Sequence, residues 1–154
     1  MKKNSVYILL LAVSTIISCK KNASCPTVTY AAPASEVTAL KAYLDANSIS
    51  AIADSRGFFY TISNAGSSGK PTTCNTVTVS YTGRLTSGTV FDSGNGVSFP
   101  LSNLILGWQE GIPLIGAGGS IILYLPPSLA YGASGSGPIP PNANLIFAID
   151  LAGF

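Results

Sequence analysis

The chain has 154 residues, with eight Lys and Arg against six Asp and Glu, and no histidine. That length suffices for one domain with a real core, and the lack of histidine removes His general bases, Ser-His-Asp triads and His-ligated metals together. A formal charge of only +2 leaves no basic patch to hold nucleic acid, and neither a metal nor a cofactor is expected.

Lys2 and Lys3 precede an apolar run from Val6 to Ile17. Twelve residues are too few to span a bilayer, which takes about 20, and they suit a secretory leader. The run ends in Ile16-Ile17-Ser18-Cys19, which resembles the lipobox of bacterial lipoproteins. On that reading residues 1–18 are a signal peptide, Cys19 is the lipidation site, and the lipid alone holds the chain to a membrane. An ordinary signal peptide with an incidental cysteine is the alternative. Without Lys2 and Lys3 the charges balance at six of each sign. Lys20 is not the aspartate that retains some lipoproteins at the inner membrane, which favours the outer membrane, facing the periplasm. Cys25 and Cys74 then form an even pair in an oxidising compartment, either bridged or as free thiols. Two cysteines are too few for a structural zinc site.

Residues 19–34 lack periodicity and read as a tether. Ser35 suits an N-cap, Glu36 the positive end of a helix, and Val37, Leu40, Tyr43 and Leu44 continue a short amphipathic helix to about Ala46. Whether it packs on a sheet or merely decorates it stays open. A strand is predicted over 58–62, followed by a Gly/Ser/Pro loop to Thr73. In 77–85, Val77, Val79 and Tyr81 alternate with Thr78, Ser80 and Thr82, the pattern of a half-buried antiparallel strand. Thr86-Ser87-Gly88 turns the chain into a return strand at 89–92. Ser93-Gly94-Asn95-Gly96 reads as a second turn before Val97-Ser98-Phe99.

A short helical stretch ends through Trp108, the only tryptophan. Such a ring packs a core or floors a pocket. Glu110 reads as a solvated or capping charge. Gly116 to Gly119 turn into a strand at 120–125, which Pro126 and Pro127 stop. A long loop over 126–143 precedes a closing strand at 144–151. Four or five antiparallel strands with two short helices make an α+β domain. Asp92 is either a turn-starting aspartate or a working carboxylate.

The motifs VTVSYTGRL, GTVFDS, FPL, LILGWQEG, LPPSLAYG and PIPPNANLIFAIDLAGF stand in one order. Together they resemble the signature of the FKBP-type peptidyl-prolyl isomerases, over about residues 76–154. Residues 35–75 resemble the N-terminal extension, a helix and a strand, of secreted bacterial members. The resemblance implies an FKBP-like sheet of about five antiparallel strands wrapped around a short helix, with a pocket between them. It makes Trp108 the pocket floor and puts Tyr81, Phe91, Val97, Phe99, Leu104 and Phe147 on the walls, with Ile139 on a flap. The Ile105 N–H would receive a ligand carbonyl, the Tyr131 hydroxyl would donate to another, and Asp92, hydrogen-bonded to Tyr81, would be the lone pocket carboxylate. Implied partners are proline-containing polypeptides and a macrolide of the rapamycin class. The implied activity is X–Pro isomerisation on exported proteins; a proline-segment-binding lipoprotein without turnover is the alternative. Ser93 to Gly96 is shorter than in many members and lacks their arginine, which threatens rate more than fold.

Overall fold

The computed structural model describes residues 25–154, so the predicted signal peptide, Cys19 and the first part of the tether lie outside the described residues. Six strands form one antiparallel sheet: β1 (Ile52–Ala53), β2 (Phe59–Asn64), β3 (Thr76–Leu85), β4 (Val90–Pro100), β5 (Gly119–Leu125) and β6 (Leu145–Gly153). Their order across the sheet is β1-β2-β5-β6-β3-β4. The strand beyond the predicted set is the two-residue β1, too short to carry a periodic signal. It pairs with β2 through Ile52 opposite Tyr60 and Ala53 opposite Phe59.

Helix α1 (Ala34–Ala46) settles the open question by packing on the sheet. Leu40 and Leu44, one turn apart, bury against Phe59 and Tyr124. Its start corrects the expectation. Pro33, not Ser35, occupies the N-cap position, at φ −57° and ψ 142°, and among the described residues no side chain caps that end. Glu36 is spent elsewhere, accepting the Ser128 backbone N–H at 2.9 Å and so tying α1 to the loop after β5.

The other sheet face holds the main core: Val77 and Val79 of β3, Ile121, Leu123 and Leu125 of β5, and Leu145, Phe147, Ile149 and Leu151 of β6. Into this hollow sits α2 (Leu106–Gly111), only six residues long. Gly107 and Gly111 lie on the same helical face, and it presses on β5. A Cβ on Gly107 would fall 2.5 Å from the Leu125 methyls, and one on Gly111 2.6 Å from those of Leu123. The two glycines therefore set how deep the helix lies, and with it the depth of Trp108 between them.

β4 corrects a second expectation. Ser93 to Gly96 is no turn but the middle of one eleven-residue strand. Tyr81 pairs with Gly94 and Val79 with Val97, so Asn95 and Gly96 together oppose Ser80 alone. This is a β-bulge, with Gly96 at φ +64°. The Ser80 hydroxyl donates to Asn95 Oδ1 at 2.9 Å and accepts the Gly96 N–H at 3.1 Å. Turn-forming residues are thus absorbed by one extra residue in a ladder.

Cys25 and Cys74 are bridged, their Cα atoms 5.6 Å apart. The bridge fastens the segment before α1 to the start of β3. Nearby, the Thr73 hydroxyl donates to the Pro26 carbonyl at 2.6 Å.

Candidate active site

The bulge in β4 decides what faces the hollow. Asp92 and Phe99 are seven residues apart, so strict alternation would send them to opposite faces. The extra residue at Asn95–Gly96 reverses the parity, and both side chains arrive on the face that Tyr81 shares. Glycine at 94 is required by contact: a Cβ there would lie 2.6 Å from the Tyr81 ring and 2.9 Å from Val97.

Eight of the eleven residues expected at a pocket line one cavity of about 150 Å³: Tyr81, Asp92, Phe99, Leu104, Ile105, Trp108, Tyr131 and Phe147. Three stand outside that lining. Phe91 packs edge-on against Phe147, centroids 5.5 Å apart at 86°. Val97 is half-buried beside Gly94, one pair along the ladder from Tyr81. Ile139 is buried in the main core and joined to Ser136 by two backbone hydrogen bonds of 2.9 Å. It thus braces the long loop from beneath.

Trp108 is 4% exposed, and Tyr81 and Phe147 flank it edge-on at 5.1 and 5.3 Å. Such edge-to-face contacts suit the ring quadrupoles and hold the indole plane in place. Trp108 Nε1 is buried without a hydrogen-bond partner among the described residues. The Tyr81 hydroxyl donates to Asp92 Oδ2 at 2.8 Å. Burial, then the hydrogen bond and charge of Asp92, push the Tyr81 phenol up to about 12, so it remains a donor throughout the neutral range. The Tyr131 phenol is also raised, by burial first and by Asp92 second. Tyr131 stands at the rim, 36% exposed, on a loop held by the Ala130 and Gly132 N–H groups donating to the Pro127 carbonyl. Ile105 precedes α2, and its N–H has no acceptor among the described residues.

Glu110 is the third correction. It is 2% exposed, and neither carboxylate oxygen has a hydrogen-bond partner among the described residues. The nearby Arg56 is already committed to Asp54, with Nε to Oδ1 at 2.7 Å and Nη2 to Oδ2 at 2.9 Å. Burial raises the Glu110 carboxyl to about 7, Arg56 opposing the rise and Asp54 adding to it. The physical reason is the seat of α2: a helix this short, sunk into a curved sheet, has no solvated face at this position. Gln109 was not singled out by sequence. Its side chain donates to the carbonyls of Ser102 and Leu104, a link between helix and preceding segment that no residue pattern announces.

Chemically, the hollow offers apolar rings on three sides, one carboxylate, one rim hydroxyl and one free backbone N–H. At about 150 Å³ it is smaller than the roughly 300 Å³ of sites that swallow drug-sized ligands. That volume has room for one compact apolar ring.

The family profile described as FKBP-type peptidyl-prolyl cis-trans isomerase matches residues 67–152. The probable FKBP-type peptidyl-prolyl cis-trans isomerase FkpA of Neisseria meningitidis serogroup B is 47% identical over 100 residues, covering 62% of this chain and 37% of its own. The outer membrane protein MIP of Legionella longbeachae is 47% identical over 100 residues, covering 62% of this chain and 43% of its own. The crystal structure of FkpA from Escherichia coli superposes with a TM-score of 0.69 at 37% identity, over 77% of this chain and 58% of that one. The chain therefore spans less than half the length of these two curated relatives, and its fold is FKBP-like.

Proposed function

The chain belongs to the family of FKBP-type peptidyl-prolyl cis-trans isomerases, and on that premise we propose that its aromatic hollow catalyses rotation about X–Pro bonds of exported polypeptides. Rotation breaks amide resonance, a barrier of about 18–20 kcal/mol, and takes tens to hundreds of seconds unaided. A 10⁶-fold acceleration needs about 8 kcal/mol of differential stabilisation and no covalent bond. The twisted amide has less charge separation than the planar one, so a dry apolar wall favours it. Trp108, Phe99, Tyr81 and Phe147 receive the prolyl ring. The Ile105 N–H and the Tyr131 hydroxyl hold flanking carbonyls, confining rotation to one bond. Asp92 stabilises the rotated carbonyl carbon.

The observation that carries this reading is the Tyr81 hydroxyl on the Asp92 carboxylate at 2.8 Å, in the cavity that Trp108 also lines. It supports the reading in which one oriented charge stands beside the imide. Turnover of a proline-containing tetrapeptide tests it. Asp92→Asn keeps an acceptor for Tyr81 but removes the charge, and turnover falls roughly tenfold or more with the melting temperature nearly unchanged. Wild-type turnover in that variant removes Asp92 from the mechanism.

The functional division follows the same reading: 1–18 leader, 19–34 tether, 35–75 extension and 76–154 isomerase domain, although β1 and β2 of the extension pair into the common sheet. Acylation at Cys19 anchors the protein to the cell envelope, at the outer membrane and facing the periplasm. Labelled palmitate incorporated by the wild type and lost in Cys19→Ala supports the anchor. A rapamycin-class macrolide enters the hollow with one ring only, and quenching of Trp108 fluorescence reports it.

A further inference from the structure

Gln109 follows the pocket-floor tryptophan in α2, yet its side chain turns away from the hollow. It borders a separate cleft behind the helix, together with Arg56 and Pro113. From there Nε2 donates to the Leu104 carbonyl at 2.7 Å and to the Ser102 carbonyl at 3.2 Å. One amide nitrogen carries two hydrogens, so both are used.

The Leu104 carbonyl and the Ile105 N–H are two ends of a single peptide unit. That unit is trans and planar, so its C=O and N–H point in opposite directions. A donor that pulls the carbonyl to the back of the helix turns the N–H to the front, where Leu104, Ile105 and Trp108 line the hollow. Nothing else among the described residues grips this unit. It precedes the first turn of α2, Leu104 and Ile105 are both extended at ψ 169° and 151°, and the Ile105 N–H has no acceptor among the described residues. Without Gln109 the plane is free to rock about its two flanking torsions. A hydrogen bond to the carbonyl also polarises the amide and strengthens its N–H as a donor.

We infer that Gln109 is a positioning residue, which aims the Ile105 N–H into the hollow by holding the opposite end of its peptide unit. The inference rests on the reading that this N–H receives a substrate carbonyl. Two variants test it in the full chain. Gln109→Met keeps the length without a donor, and Gln109→Glu keeps the shape but only accepts. A carbonyl held equally before and during rotation contributes to binding and not to the chemical step. KM for a proline-containing tetrapeptide therefore rises about five- to tenfold, the worth of one such bond, while kcat changes little. In ¹⁵N-labelled protein the Ile105 amide signal moves on adding the peptide to the wild type. In both variants it starts displaced and no longer responds. An unchanged KM in both, or an Ile105 amide that responds as in the wild type, overturns the inference. So does loss of peptide binding that tracks a collapse in melting temperature, which marks Gln109 as merely structural. A wild type without turnover refutes the proposed activity instead, and the Ile105 amide then decides the role of Gln109 alone.

Discussion

Glu110→Gln removes one charge and keeps the shape of the side chain. Residue 110 is 2% exposed and unpartnered among the described residues, and the carboxyl rises from its ordinary 4.5 to about 7 mainly through burial. Between those pH values the folded state retains a proton that the unfolded chain has released. The contribution of Glu110 to stability is therefore full below pH 4.5, falls as pH rises through about 7, and is flat beyond. At about 1.4 kcal/mol per pH unit over that interval, ionised Glu110 costs the folded state on the order of 3 kcal/mol. The neutral acid and the amide both sit buried without partners, so their shared desolvation cost cancels in the comparison. Urea unfolding of both proteins across pH 4 to 8.5, with the disulfide intact, reads the difference. Near pH 4 the two curves lie close together. Above pH 7.5 the variant exceeds the wild type by a few kcal/mol, equivalent to a rise of roughly 6–12 °C in melting temperature. Parallel curves across the whole range would refute the buried-charge argument, because a solvated carboxylate leaves no such gap.

Two further substitutions probe the scaffold. Gly94→Ala drives a methyl to within 2.6 Å of the Tyr81 ring. The ring tilts, the bond to Asp92 lengthens, and the Tyr81 phenol drops from about 12 towards its ordinary value of about 10. Tyrosinate absorbance at 295 nm follows that change, and turnover falls with it; an unaltered titration means that the ladder yields instead of the ring. Reducing the Cys25–Cys74 bridge, which spans 49 residues, costs at most about 4 kcal/mol by loop entropy. The urea midpoint falls accordingly in dithiothreitol and in the double serine variant. Coincident midpoints with and without reductant contradict a stabilising bridge.

The ring residues were legible in the chain because each sits beside a local marker. Trp108 follows an aliphatic run, Tyr81 continues the alternation of Val77 and Val79, and Phe91-Asp92 follows a hairpin turn. Asp92 had two readings, turn starter or working carboxylate; its local sequence favoured the turn, and only the resemblance favoured the carboxylate. Ser93 to Gly96 misled for a physical reason. Serine, asparagine and glycine serve turns and bulges alike, since both need a positive φ and a local hydrogen bond. Only the pairing partner, Ser80 opposite two residues, distinguishes one from the other. Glu110 misled because a charge beside Gln109, between two glycines, carries no mark of the sheet that will enclose it.

By itself the sequence determined the chemistry available: no imidazole, no basic patch, a supply of rings, and strands in an order that returns them to one sheet. Those properties reside in residue types and in local periodicity, which survive in an unfolded chain. Tertiary structure alone decided the directions. The parity of β4, the depth of α2, the burial of Glu110 and the tilt of the Leu104–Ile105 peptide each depend on a partner distant in sequence or on another element. Orientation is a relation between segments, and it comes into existence only when they pack.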